Sequence, residues 1–212
     1  HSIDSQDPIF GLVVNGLVDI ENLKRNDTAK EGDVLIITKP LGVGILATSQ
    51  KRGLLTEPDL AFLVKQLTTI NKAGEALGKI KGVHAMTDVT GFGLAGHLTE
   101  MMEGSKLTAK LSYAKIPIIP EVRNYIAQKA IPGATARNWS ATCEGIQLDE
   151  SIDPLEASLI LPDPQTNGGL LIAVDPNSVL EVQALLKAAG ILYTEPIGIC
   201  TAASNKKIVI TA

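Results

Sequence analysis

The segment Ala85-Met-Thr-Asp-Val-Thr-Gly-Phe-Gly-Leu-Ala-Gly-His97 changes backbone type within one short stretch. It reads as the end of a buried strand, a glycine-hinged turn and the start of a helix. A single carboxylate, Asp88, stands at the mouth of the turn. The first N–H groups of a helix are unpaired and its dipole favours negative charge, so such a start is a ready place for an anion. An aspartate beside it is suited to Mg²⁺, which prefers oxygen ligands and commonly shares them with phosphate. Gly91 and Gly93 permit close approach of a ligand, and Thr87 and Thr90 offer hydroxyls. The competing assignment is that Asp88 caps the helix that follows.

Elsewhere the pattern alternates between strand and helix without a regular repeat. Ile9–Val18 is apolar and β-branched, which predicts a strand. Glu21–Gly32 is polar and reads as a loop, and Val34–Thr38 as a short central strand that Lys39-Pro-Leu-Gly-Val-Gly44 breaks. Thr56-Glu-Pro58 opens a helix whose apolar residues recur at helical spacing from Leu60 to Ala73, with Gly78 as its end. Val83–Thr87 is the strand before the Asp88 turn. The next helix buries Leu94, Ala95, Leu98, Met101 and Met102 and stops at Gly104. Leu107–Leu111 reads as a strand and Val122–Ala130 as a short helix. Residues 131–150 are polar and turn-rich and read as a long irregular segment. Leu155–Leu161 is apolar. Asp163–Gly169 is a loop before a buried strand, Leu170–Val174. Asp175-Pro176 caps a helix that Gly190 closes. Ile197–Cys200 and Ile208–Thr211 read as a final strand pair. The mixture predicts an α+β fold, a mixed sheet with helices packed on one face.

The chain of 212 residues is 45% hydrophobic but only 3% aromatic, so its core must be built from Ile, Leu, Val and Ala. Its formal charge of −4 and the absence of a basic block argue against nucleic acid as a partner. No apolar run is long enough to span a bilayer. Cys143 and Cys200 lack metal or disulfide spacing, which fits a reducing cytoplasm. No P-loop and no dinucleotide fingerprint occurs. Leu41-Gly-Val-Gly44 is a weak glycine loop with Lys39 beside it, and a lone lysine is ordinarily a solvated one. Thr135, Arg137 and Asn138 are an alternative anion-binding set, Arg being suited to bidentate contact. His84 and His97 are packing or surface residues on their spacing.

Five segments together resemble the selenophosphate synthetase (selenide, water dikinase) family. They are Thr38-Lys-Pro-Leu-Gly-Val-Gly-Ile-Leu46, Ile70-Asn-Lys-Ala-Gly74, Ala85–Leu94, Pro132-Gly-Ala-Thr-Ala-Arg-Asn138 and Asp163-Pro-Gln-Thr-Asn-Gly-Gly-Leu-Leu171. They stand in the family's order and spacing. The wider group is the aminoimidazole-ribotide-synthetase-like ATP enzymes. Small departures occur: this chain reads P-G-A-T and Q-T-N-G-G where many relatives read P-G-G-T and Q-T-S-G-G.

The resemblance implies conversion of selenide, ATP and water to selenophosphate, AMP and orthophosphate. It also implies several Mg²⁺ ions bridging carboxylates and phosphates, and a homodimer. Asp88 is implied as a magnesium ligand. His1 and Ser2 match the end of the family's G-G-H-S-I segment and are implied to touch ATP from the partner subunit. The expectation is a chain entered mid-domain. Residues 1–32 would be the tail of an N-terminal ATP and dimerisation domain, and residues 33–212 the C-terminal domain. The family's nucleophile, catalytic lysine and most acidic ligands would lie outside this stretch, so no catalytic residue is assigned here. Two alternatives remain open. One is a non-catalytic dimerisation or binding module. The other is a sister ATP enzyme acting on a purine precursor, thiamine phosphate or a carbamoyl group, as in hydrogenase maturation.

Overall fold

The computed structural model describes residue 11 and residues 13–212. Among the described residues the strands and α-helices run in the order β1 (Val34–Ile37), α1 (Val43–Lys51), α2 (Glu57–Thr68), α3 (Ala73–Gly78), β2 (Val83–Asp88), α4 (Gly93–Ser105), β3 (Leu107–Ser112), α5 (Val122–Ala127), α6 (Gly133–Thr142), β4 (Ile146–Leu148), α7 (Pro154–Ile160), β5 (Leu170–Val174), α8 (Val179–Ala188), β6 (Pro196–Ala202) and β7 (Ile208–Thr211). The strands make one mixed sheet in the order β2-β5-β1-β6-β3-β7-β4. Pairing is antiparallel from β2 to β3 and parallel for β3–β7 and β7–β4. The expected α+β class is what forms.

Strand composition follows from what covers each face. In β5 (LLIAV) every residue is buried. Leu171 and Ala173 point into the larger core and Leu170, Ile172 and Val174 into a smaller one. The main helical layer lies on one face, as expected. A smaller layer from α3 and α8, through Leu77, Val182 and Leu186, covers the opposite face of β2, β5 and β1. Beyond β1 that second face is uncovered among the described residues: in β3 Ala109 and Leu111 are buried and Lys110 reaches solvent, whereas β6 buries Ile197 and Cys200 and exposes Ile199 across a register shift in its pairing with β1. A strand covered on both faces reads as a continuous apolar run, and one covered on a single face alternates.

Several elements differ from expectation for identifiable reasons. Residues 131–150 contain a helix, α6, and a strand, β4. The residues α6 buries are Thr135 and Asn138, so its inward face is polar and invisible to apolar periodicity. The long helix expected from Leu60 to Gly78 is two, broken at Thr69, whose backbone turns extended. The Thr69 carbonyl there accepts from Lys39 Nζ (2.6 Å) and Asn167 Nδ2 (2.9 Å) instead of continuing a helical ladder. Gly104 does not stop α4; the helix ends after Ser105, with Lys106 in the left-handed conformation. A helix not expected, α1, begins directly after Gly42. β6 and β7 do not pair, because β3 inserts between them.

The expected strand at Ile9–Val18 falls partly outside the described residues. Over its described residues, 11 and 13–18, no strand forms, and Val13, Val14 and Leu17 are almost fully exposed. The following segment is tied to the body. Thr28 Oγ1 donates to His84 O (2.7 Å), the Met86 amide donates to Arg25 O (3.0 Å), and the Ala29 amide donates to Ser105 Oγ (3.0 Å).

Candidate functional site

Asp88 is the last residue of β2, paired across the sheet with Leu170 of β5. Its side chain is exposed. The helix after it, α4, takes Phe92 as its N-cap with no side-chain hydrogen bond, so Asp88 does not cap it. The carboxylate is thus presented outward and is not consumed by the fold.

The helix start itself is already filled. The Gly93 amide donates to Thr90 O (3.0 Å) and the Ala95 amide to Leu161 O (2.9 Å). Gly93 has φ +68°, and a Cβ there would lie 2.6 Å from the Pro162 carbonyl carbon and 2.8 Å from Asp163 O. Backbone of residues 161–163 therefore occupies the space in which a phosphate would sit on these amides. The turn holds a carboxylate out; it does not cradle an anion. Thr90 Oγ1 lies 3.0 Å from His97 Nε2, and burial lowers the imidazole pKa. His97 braces the turn from within the first turns of α4.

The Asp163–Gly169 segment, read from sequence only as a loop before a buried strand, is the hub. The Gln165 amide donates to Thr90 O (2.9 Å) and the Val89 amide to Gly169 O (2.8 Å), fastening the loop to the Asp88 turn. A Cβ on Gly168 would stand 2.1 Å from Val89 O, so only glycine permits this approach. On its other side the loop meets the segment after β1. The Leu170 amide donates to Thr38 Oγ1 (2.8 Å), and a Cβ on Gly169 would lie 2.4 Å from the Lys39 amide nitrogen. Three of the sequence motifs thus interlock around one loop.

That loop also completes α1. Gly42, at φ +121°, supplies no side-chain cap. The Gly44 amide instead donates to Asp163 Oδ2 (2.9 Å) and the Val43 amide to Gln165 Oε1 (3.3 Å). Gln165 Nε2 in turn donates to Asp163 Oδ2 (2.8 Å). The weak glycine loop at Leu41–Gly44 is therefore a helix start capped from far along the chain, and these amides are taken. The signal available in sequence was the missing Ser, Thr, Asp or Asn before α1.

Asp163 is fully buried. Burial pushes its carboxyl up to about 7, against the hydrogen bonds from Gln165, Gly44 and Ile45 that favour its charge. Between the ordinary value of 3.8 and about 7 the folded chain holds a proton here that the unfolded chain has released. Stability from this group is complete at the acid end and is lost as the pH rises toward 7. Asp163→Asn removes that slope. Urea midpoints at about pH 5 and about pH 8 should differ less in the variant than in the parent, and an unchanged difference refutes the assignment.

The other expected residues separate. Asn138 is not an anion ligand: its Nδ2 donates to Gly91 O (2.8 Å) and Pro162 O (3.0 Å), clamping the Asp88 turn to the chain before the hub. Thr135 is buried beside it, and Arg137 turns out to solvent, donating to Gly133 O (3.0 Å). Lys39 is not solvated but buried. His84 is a packing residue, 2.8 Å from Asp33. Cys143 and Cys200 are both unbonded, and burial pushes the Cys200 thiol up to about 12. His1 and Ser2 lie outside the described residues. Among the described residues no group of three or more His, Cys, Asp or Glu side chains is placed to hold a metal. Asp88 alone fits Mg²⁺ only as one oxygen ligand among others from elsewhere, which is how Mg²⁺ is commonly held with phosphates. No described helix is long and apolar enough to cross a membrane.

The C-terminal domain of AIR synthase related proteins matches residues 30–211. The chain belongs to this family. Within it, the chain is 48% identical over 198 residues to selenide, water dikinase of Aeromonas hydrophila, covering 93% of this chain and 56% of that protein. It is 50% identical over 188 residues to selenide, water dikinase of a Shewanella species, covering 89% and 52%. The chain spans about half the length of the curated relatives it matches. Among solved structures, the hydrogenase maturation protein HypE shares the fold at TM-score 0.66 and 20% identity, covering 92% of this chain and 54% of that one. A HypE structure in complex with ATP matches at TM-score 0.62. The hub loop, the capped α1 and the outward Asp88 are thus features of a member of the AIR synthase related family.

Proposed function

We propose that this chain is the C-terminal part of an ATP- and Mg²⁺-dependent phosphotransferase that makes selenophosphate from selenide, ATP and water, releasing AMP and phosphate. The observation that carries the site is Asp88, a carboxylate that no hydrogen bond among the described residues engages, held out on a turn fastened by the Asp163–Gly169 loop and by Asn138. The relatives' names support the selenide reaction, and the ATP complex of HypE supports the nucleotide. Asp88 would hold Mg²⁺, which in phosphoryl transfer bridges phosphate oxygens and offsets their charge. The remaining ligands would come from an N-terminal ATP domain ending near residue 32. That domain would pair two subunits, with His1 and Ser2 reaching ATP in the partner.

This stretch alone is expected not to turn over selenide, because one outward carboxylate is a fraction of a metal cluster. AMP formation and phosphate release, measured with selenide and Mg²⁺-ATP, test both statements. The complete protein should show selenide-dependent AMP formation and the 212-residue chain none. Turnover by the chain at the rate of the complete protein would overturn its inactivity. Complete protein that ignores selenide but consumes ATP with a purine precursor, thiamine phosphate or a carbamoyl donor would overturn the substrate.

A further inference from the structure

A cavity of about 170 Å³ lies between α2, the α2–α3 link, the start of β5 and the loop after α8. Its apolar wall is made by Phe62, Ile70, Leu170, Ile191, Leu192 and Tyr193. Ile70 and Leu192 stand at its rim, 72% and 85% exposed. An apolar cavity of about 150 Å³ takes up a ring the size of benzene, so this one admits a body of that size.

The polar lining has one sign. Lys39 and Lys65 face the cavity and no lining residue is acidic. Lys39 is 6% exposed and forms no ion pair among the described residues. Its Nζ donates to Thr69 O (2.6 Å) and Asn167 O (2.7 Å). An ammonium carries three N–H groups, so one is left over. Gln66 Nε2, also on the lining, is buried without a hydrogen-bond partner among the described residues. A buried ammonium without a carboxylate and a buried amide without an acceptor are both costly, and a single anion would relieve both. Burial alone already lowers the Lys39 pKa, which is the same deficit seen from the side of the proton.

We propose that this cavity binds a small amphipathic monoanion, a carboxylate on an aromatic or branched aliphatic body about the size of benzoate. The carboxylate accepts from the third N–H of Lys39 and from Gln66 Nε2. The body lies against Phe62, Ile191 and Tyr193, and Lys65 at the mouth draws the anion in. A neutral amide of the same shape offers a single carbonyl acceptor and no charge, so it pairs the two donors less well than a carboxylate, and inorganic phosphate leaves the apolar wall wet.

The test is a titration of the isotope-labelled 212-residue chain, followed by amide NMR shifts, with benzoate, benzamide and inorganic phosphate. Benzoate should give saturable shifts confined to Thr69–Asn71, Gly190–Tyr193 and their neighbours. Its Kd should be about tenfold or more below that of benzamide, the worth of one charge-assisted contact. Phosphate should give no saturation there. Lys65→Glu, at an exposed position, should raise the benzoate Kd about tenfold. Lys39→Met should abolish saturation; if that variant does not fold, Lys65→Glu and Gln66→Glu carry the test. Scattered or non-saturating shifts, equal affinity for benzamide, saturation by phosphate at the same residues, or indifference to Lys65→Glu would each overturn the proposal.

Discussion

Asp88→Ala in the complete protein should lower Mg²⁺-dependent AMP formation from selenide and ATP by at least about a hundredfold, because a lost ligand in a phosphoryl-transfer metal site removes several kcal/mol. The fold should not notice. The side chain is exposed and the following helix does not use it as a cap. Surface substitutions of that kind stay within about 0.5 kcal/mol, so the melting temperature should move by only a few degrees at most. Asp88→Asn keeps the shape and removes the charge, and should lose nearly as much activity. Titrating Mg²⁺ separates the causes: a metal ligand raises the Mg²⁺ concentration for half-maximal rate, whereas a residue that merely shapes the turn lowers the rate at every concentration. Near-normal activity of Asp88→Ala would remove the aspartate from the chemistry.

Gly168→Ala should be strongly destabilising. The added Cβ would stand 2.1 Å from Val89 O and 2.8 Å from Gln165 Cβ, both on backbone-anchored segments that cannot swing aside. Either the hub loop peels from the Asp88 turn or the turn itself moves, and the hydrogen bonds Gln165–Thr90 and Val89–Gly169 are lost with it. The expected cost is about 3 kcal/mol or more, from overpacking plus unsatisfied buried amides. Gly91→Ala is the control. Nothing lies within 4 Å of its would-be Cβ, so its cost should be that of an ordinary surface change, about 0.5 kcal/mol. Chemical denaturation of both variants decides this, and equal midpoints would show that the loop does not clasp the turn as described.

Local chemistry was legible wherever the core side of an element was apolar. β5 reads as a buried strand because both its faces are covered. α2 reads as a helix because Thr56 caps it, accepting from the Asp59 amide (3.4 Å), with a proline in its first turn. α6 did not read as a helix, because Asn138 spends its buried face on hydrogen bonds to Gly91 and Pro162. The break between α2 and α3 was equally silent. What ends the first helix is Lys39 and Asn167 arriving at the Thr69 carbonyl from distant positions.

The place of Asp88 at the end of a strand was legible in sequence alone, since VHAMTD is followed within five residues by Gly91 and Gly93, which break the strand. That Asp88 is an exposed carboxylate rather than a helix cap was decided by tertiary structure. So was the closing of the expected phosphate cradle, whose amides are satisfied by Leu161 and Thr90. The same holds for the conversion of Asp163–Gly169 from connection to hub. The physical reason is common to all three. Hydrophobic periodicity is a property of neighbours along the chain. Which acceptor reaches a buried N–H, and which glycine lets two backbones touch, depends on segments that meet only once the sheet has formed.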